Sequence, residues 1–231
     1  MNVAIVVAGG KGVRFGGNRP KQFLELDGAP VIVQTLRQFE RCREIENVVV
    51  VLPANETAGF QSLVKEFGLQ KVSRVVAGGT TRAQSVQCGL AAIDRAGIVA
   101  VHDGVRPLVT PDEIDRVVAA ARANGAAILV AAVGDTVKEI DNNSVKQTIL
   151  RHTLRRALTP QCFRLDILKR AYDDLAELES SGIEVTDDSF LVERLGVEVL
   201  AIEGSPRNIK ITNEADLMFA ESLLKSLVSC P

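Results

Sequence analysis

Short apolar runs rich in β-branched residues, each followed by a stretch of helical character, constrain this chain more than any other feature. The runs fall at residues 3–8, 48–52, 72–76, 98–102 and 126–133, the third interrupted by Ser73 and Arg74. Val48-Val49-Val50-Val51-Leu52, stopped by Pro53, shows the type: it carries no polar alternation at all. A strand with one wet face alternates, whereas a strand covered on both faces reads as a continuous apolar run. Helices are expected between the runs at residues 31–42, 56–67 and 82–96. Thr110-Pro111-Asp112-Glu113 starts another, with a capping threonine, proline in the first turn and glutamate at the third position. Strand–helix alternation of this kind predicts an α/β, Rossmann-like three-layer sandwich with a mostly parallel sheet.

The alternation breaks at Gly134. Residues 134–158 are polar and β-leaning, with Asp141-Asn142-Asn143-Ser144 as a turn between two short segments. They read as a protruding β-hairpin arm. Helical periodicity returns at residues 165–178, and a last helix is expected at 213–227. Neither an internal repeat nor a low-complexity linker divides the chain, so residues 1–231 read as a single domain.

Composition excludes several functions. With no Trp, one Tyr and eight Phe, the chain lacks the aromatic platform that single-stranded nucleic acid requires. The cysteines at 42, 88, 162 and 230 form no C-x-x-C pair and the chain has two histidines, which argues against zinc. Isolated thiols suit a reducing cytoplasm. No charged segment precedes the first apolar run, which is too short and too early for a signal peptide. No run approaches the ~20 apolar residues that cross a bilayer. The expectation is a cytoplasmic protein that binds neither membrane nor nucleic acid.

The chemistry is announced directly after the first strand. Gly9-Gly10-Lys11-Gly12-Val13-Arg14-Phe15-Gly16 runs on through Gly17-Asn18-Arg19 to Pro20-Lys21-Gln22-Phe23. From residue 9 to 21 there are four cations (Lys11, Arg14, Arg19 and Lys21) and no carboxylate, although the whole chain carries a net charge of -2. Charge concentrated in one loop marks a site for a small polyanion, not a generally basic surface. Glycines let backbone N–H groups close around phosphate oxygens. A P-loop needs a lysine followed by Ser or Thr, and Lys11 is followed by Gly12. The dinucleotide fingerprint starting at Gly10 would place Phe15 at its third small position, where bulk obstructs helix–strand packing. The pattern A-G-G-x-G-x-R, a short gap and then P-K-Q resembles instead the signature of sugar- and polyol-phosphate nucleotidyltransferases.

Further motifs follow in order: Gly78-Gly79-Thr80-Thr81-Arg82-Ala83-Gln84-Ser85, His102-Asp103-Gly104-Val105-Arg106-Pro107, Asp135-Thr136-Val137-Lys138, Leu158-Thr159-Pro160-Gln161, Thr186-Asp187-Asp188 and Asn208-Ile209-Lys210-Ile211-Thr212. Together they resemble the methylerythritol-phosphate cytidylyltransferases of the non-mevalonate isoprenoid route, from Val3 to the last helix. The resemblance implies CMP transfer from CTP to 2-C-methyl-D-erythritol 4-phosphate with release of pyrophosphate. Such chemistry needs no protein nucleophile, only positioning of two anions and fixed cations around the growing charge.

By this resemblance Arg14, Lys21, Arg151 and Lys210 are the catalytic residues. Ala8, Gly9, Gly10 and Gly12 shape the loop over CTP, and Gly79, Arg82 and Ser85 match the cytidine-recognition segment. Asp103 ends the fourth strand at the carboxyl edge where open α/β sheets bind ligands, and is the expected carboxylate beside Mg²⁺ or another divalent cation. Arg106, Thr136, Arg151, Thr159 and Lys210 match the positions that hold the methylerythritol phosphate. His102 reads as structural. In this family the arm reaches a second subunit, so a homodimer is implied, with Arg106, Thr136 and Arg151 completing the partner's site.

Two positions depart from the common pattern. Val7 stands where many of these enzymes have proline, before Ala8-Gly9-Gly10 in place of A-A-G, and Arg155 stands where an aromatic is often found. A-G-G also occurs in ribitol-5-phosphate cytidylyltransferases, which remain the nearest alternative. A non-catalytic nucleotide-binding regulator is the alternative of another class, opposed by the charged residues at 14, 21, 103, 151 and 210.

Overall fold

The computed structural model describes residues 1–9 and 20–228. In chain order it contains β1 (Val3–Val7), β2 (Glu25–Leu26), β3 (Ala29–Pro30), α1 (Val31–Arg41), β4 (Asn47–Leu52), α2 (Thr57–Glu66), β5 (Val72–Ala77), α3 (Arg82–Ala91), β6 (Ile98–Asp103) and α4 (Pro111–Asn124). There follow β7 (Ala126–Ala132), β8 (Val137–Asp141), β9 (Ser144–Ile149), β10 (Arg155–Arg164), α5 (Leu165–Asp173), α6 (Leu175–Ser180), α7 (Asp188–Arg194), β11 (Leu200–Glu203) and α8 (Glu214–Val228).

The main sheet has seven strands in the order β11-β7-β10-β6-β1-β4-β5. All neighbours are parallel except β10, which is antiparallel to both β6 and β7. The two-residue period of each strand divides its side chains between two cores. Ala4, Val6, Val48, Val50, Ile98 and Ala100 face α1, α2 and α4, packing near Leu36, Phe39, Phe60 and Val117. Val3, Ile5, Val7, Val49, Val51, Val99 and Val101 face α3, α5, α6 and α7 on the other side. This is the three-layer, mostly parallel architecture expected from the apolar runs.

Local signals hold in detail. Thr110 Oγ1 accepts from the Glu113 amide at 3.2 Å while Glu113 Oε2 accepts from the Thr110 amide at 2.8 Å, completing the capping box of α4. Between β8 and β9, Asn142 and Asn143 both adopt positive φ (44° and 65°), the left-handed pair a tight hairpin turn demands.

Several boundaries differ from expectation. Residues 155–158, expected in the arm, belong to β10, so the hairpin proper is β8–β9 followed by a short 3₁₀ turn at Arg151–Thr153. Pro160 argues against a central strand, because it cannot donate to the ladder. The register with β7 breaks between Ala157 and Gln161, where the missing donor is tolerated. The helix expected at 165–178 is two helices separated at Asp174, and α3 stops at Ala91 instead of residue 96. Residues 188–194 and 200–203 form elements the periodicity did not reveal.

Candidate active site

The carboxyl ends of β1, β5 and β6 open into a cavity of about 450 Å³. Ala8 and Gly9 follow β1, Gly79 precedes α3, Arg82 and Ser85 lie in its first turns, and Asp103 closes β6; all line this space together with Lys21 and Lys210. A second hollow of about 230 Å³ shares Arg82, Asp103 and Lys210 and adds Arg106, Thr159 and Asp187.

Lys21 is delivered by a 3₁₀ turn, Lys21–Phe23. Buried Phe23 stacks at a tilt against Phe60, their centroids 6.3 Å apart. Gln22, 1% exposed, donates from Nε2 to the Ala8 carbonyl at 2.7 Å. Its side chain thus ties the end of the glycine loop to the end of β1. On the opposite wall Thr81 caps α3, and Ser85 Oγ donates to the Thr81 carbonyl at 2.9 Å. Gly78 leaves room for this serine: a Cβ there would lie 2.7 Å from Ser85 Oγ.

Asp103 is the electrostatic centre. Its Oδ1 meets Arg82 Nε at 3.0 Å, and its Oδ2 meets Arg106 Nε and Lys210 Nζ, each at 3.1 Å. Burial alone would raise this carboxyl. The nearby Arg82, Lys210 and Arg106 overcome burial and hold it well below the usual carboxylate range. Arg106 Nη1 also donates to the Asn208 carbonyl at 2.9 Å, and Asn208 Nδ2 donates to the Thr159 carbonyl at 2.9 Å.

His102, fully buried, is pushed down to about 3 by desolvation and is therefore neutral. Its Nε2 faces the Arg106 carbonyl at 3.2 Å and its Nδ1 faces Thr159 Oγ1 at 2.9 Å. A carbonyl only accepts, so Nε2 carries the proton and Nδ1 accepts from the Thr159 hydroxyl. That hydroxyl oxygen in turn accepts from the Asp103 amide at 3.2 Å. The Thr159 hydroxyl proton is thereby committed within the protein.

Behind the wall, Arg82 Nη2 meets Asp188 Oδ2 at 2.9 Å, and Asp188 Oδ1 accepts from the Tyr172 hydroxyl at 2.6 Å. Gln161 Oε1 accepts from the Asp188 and Ser189 amides, both at 3.0 Å, and Gln161 Nε2 donates to Asp187 Oδ2 at 2.8 Å. Burial, opposed by Asp188 and then Asp103, leaves Arg82 with its pKa raised above the ordinary arginine value.

The structure thus gathers Ala8, Gly9, Lys21, Gly79, Arg82, Ser85, Asp103 and Lys210 at one cavity and Arg106 and Thr159 at its neighbour. Thr136 and Arg151 line neither; both are exposed, and Arg151 Nη1 donates to the Gly134 carbonyl at 2.6 Å. Gly10, Gly12 and Arg14 lie outside the described residues. The sequence motifs contain Gln22, Gln161, Asp188 and Asn208 without assigning them a role, and Tyr172 lies in none of them. The signal that could have found Tyr172 is its singularity: it is the one tyrosine of the chain.

The sequence model of the family described as 2-C-methyl-D-erythritol 4-phosphate cytidylyltransferase matches residues 2–226. A relative of that name from Bacillus velezensis is 42% identical over 225 residues, covering 97% of this chain and 96% of its own. One from Geobacillus kaustophilus is 43% identical over 223 residues, covering 96% of each. Among solved structures, the 4-diphosphocytidyl-2C-methyl-D-erythritol synthase of Anaerococcus prevotii superposes with a TM-score of 0.84 at 30% identity, covering 97% of this chain and 96% of its own. The 2-C-methyl-D-erythritol 4-phosphate cytidylyltransferase of Thermus thermophilus gives 0.77 at 31% identity, covering 96% and 98%. Matched nearly end to end in sequence and in fold, this chain is a member of the 2-C-methyl-D-erythritol 4-phosphate cytidylyltransferase family.

Proposed function

We propose that the protein transfers CMP from CTP to 2-C-methyl-D-erythritol 4-phosphate, giving the CDP-alcohol and pyrophosphate. The observation that carries the reading is the convergence of Arg82, Arg106 and Lys210 on buried Asp103 at the carboxyl edge of the sheet, with Lys21 on the wall of the same cavity. A phosphate oxygen of the polyol attacks the α-phosphorus of CTP, the new P–O bond forms, and the bond to the β-phosphate bridging oxygen breaks. Negative charge moves from the attacking oxygen to the non-bridging oxygens of that phosphorus and to the departing pyrophosphate, and fixed cations offset it. Lys21 and Arg14 serve the triphosphate, with Ala8, Gly9, Gly10 and Gly12 shaping the loop above it. Gly79, Arg82 and Ser85 receive the cytidine. Lys210 and Arg106 hold the polyol phosphate, and Thr159, its proton committed to His102, fixes the Asp103 backbone beside it.

Asp103 is the candidate holder of a divalent cation. It is the one carboxylate among the described residues lining the larger cavity, and no cluster of three acidic, His or Cys ligands occurs among them. Magnesium suits such a place, because it is commonly bound by one or two carboxylates together with substrate phosphates. Three of about four lone-pair positions of the carboxylate are taken by cations, which leaves one. A bound divalent ion would supply neutralisation of the phosphate charge.

The arm is read as the contact with a second subunit. It carries exposed Ile140, Val145 and Leu150, and exposed apolar side chains on a protruding hairpin suit a partner surface. Thr136 and Arg151, which line neither cavity of their own chain, then serve the partner's, whereas Arg106, expected there too, meets Asp103 of its own chain. A reducing cytoplasm agrees with the free thiols of Cys42, Cys88 and Cys162. No helix among the described residues is long and apolar enough to cross a membrane.

The test is to supply CTP and Mg²⁺ with either 2-C-methyl-D-erythritol 4-phosphate or ribitol 5-phosphate and follow pyrophosphate. Release with the first polyol is expected. Preference for ribitol phosphate would overturn the substrate, and silence with both would overturn the activity.

A further inference from the structure

We infer that Asp188 is a positioning residue for the nucleotide: from behind the cavity wall it sets the orientation in which the Arg82 guanidinium meets CTP. This rests on the cytidylyl-transfer reading for the ligand, and on geometry for the rest. Asp188 is 0% exposed and lines neither cavity, so it cannot touch a substrate itself. Arg82 lines both. Two of its three guanidinium nitrogens are held, Nε by Asp103 at 3.0 Å and Nη2 by Asp188 at 2.9 Å. A planar fork gripped at two corners has no remaining rotation. Held at Nε alone, it would swing about that contact.

Asp188 is itself braced. The Tyr172 hydroxyl fixes one carboxylate oxygen at 2.6 Å, and its amide is fixed by Gln161 Oε1 at 3.0 Å. Burial, together with the neighbouring carboxylate, keeps the Tyr172 hydroxyl protonated and donating. Gln161, on β10, is 1% exposed, and Tyr172, in the core beneath the sheet, is 3% exposed. The brace therefore joins β10, α5 and the start of α7 to one cation at the head of α3. Every polar group in it is satisfied, the condition under which a buried network specifies a single geometry. A carboxylate with a purely structural role would need Arg82 only as a counter-charge. A positioning role requires in addition that its loss be felt by the ligand Arg82 faces.

The experiment compares Asp188→Asn, Tyr172→Phe, Arg82→Met and the double variant Arg82→Met/Asp188→Asn with the wild type. Thermal unfolding, CTP titration by calorimetry in Mg²⁺, and KM for each substrate are measured. Asp188→Asn keeps volume and the tyrosine contact but removes the charge on Nη2. It should weaken CTP binding by about tenfold, the scale of one charge-assisted hydrogen bond, with KM for the polyol phosphate changed less than about twofold. Tyr172→Phe should shift CTP in the same direction by a smaller factor. In the Arg82→Met background the Asp188 change should alter CTP affinity by less than about twofold, because the group it acts through is gone. Equal losses in both backgrounds, or a lowered Tm with unchanged CTP affinity, would overturn the inference. If Arg82→Met does not fold, Tyr172→Phe decides: unchanged CTP affinity in that folded variant counts against it. Failure of the wild type to bind CTP would overturn the functional reading instead.

Discussion

Substituting His102 and lowering the pH should separate one buried imidazole from every other acid-sensitive group. Burial holds folded His102 at about 3, against an ordinary value of 6.5. Between those values the unfolded chain binds a proton that the folded chain refuses. Stability contributed by the neutral ring is therefore complete above pH 6.5 and declines as pH falls towards 3, by ~1.4 kcal/mol per pH unit. Integrated from pH 7 to pH 5, one such group removes ~1.9 kcal/mol. Asp103 acts in a lower window: its folded pKa is depressed from 3.8, so its contribution is lost only once the pH drops below that value. Urea unfolding of wild type and His102→Asn at pH 7 and pH 5 reads the difference. The variant keeps an acceptor for the Thr159 hydroxyl and should be less stable at pH 7, yet lose ~1.9 kcal/mol less than wild type on going to pH 5. An equal loss in both proteins would refute the assignment of a neutral buried imidazole.

Lys21→Ala should lower kcat by at least about a hundredfold if the lysine acts mainly on the transition state; near-normal turnover in a steady-state assay would contradict its role. Mixing Arg151→Ala with Lys21→Ala under proven subunit exchange should recover part of the activity through hybrid sites, and no recovery would count against shared sites. Gly89→Ala should destabilise the fold by ~1–3 kcal/mol, since its Cβ would lie 2.6 Å from Ile5 Cγ2 and 3.1 Å from Val51 Cγ2. Alanine ordinarily stabilises a helix interior relative to glycine, so a rise in the urea midpoint would refute the packing argument.

The parts of this molecule that were legible in its sequence are those governed by neighbours along the chain. The uninterrupted valines of β4 declare a strand covered on both faces, Thr110 and Glu113 declare a helix start, and Asn142-Asn143 declare a turn. β10 was not legible, because Thr159, Pro160 and Gln161 break its apolar pattern and its place in the sheet depends on two strands distant in sequence. The same distinction holds at the site. Lys21, Arg82, Asp103 and Lys210 were readable as motif residues, and the fold brings them together. Asp188 gains its meaning only from Arg82, 106 positions away, and from Tyr172. No local pattern encodes a contact of that separation.

The charge network at the site also holds the fold together. Asp103 and Asp188 are buried, and Arg82, Arg106 and Lys210 pair with them. Removing one partner of a buried ion pair is strongly destabilising, because the other charge is left uncompensated. Loss of Arg82 therefore leaves two buried carboxylates each short of a counter-charge, and the substitution that takes a cation from the site also weakens the folded chain. Natural selection at this position acts on folding and turnover together.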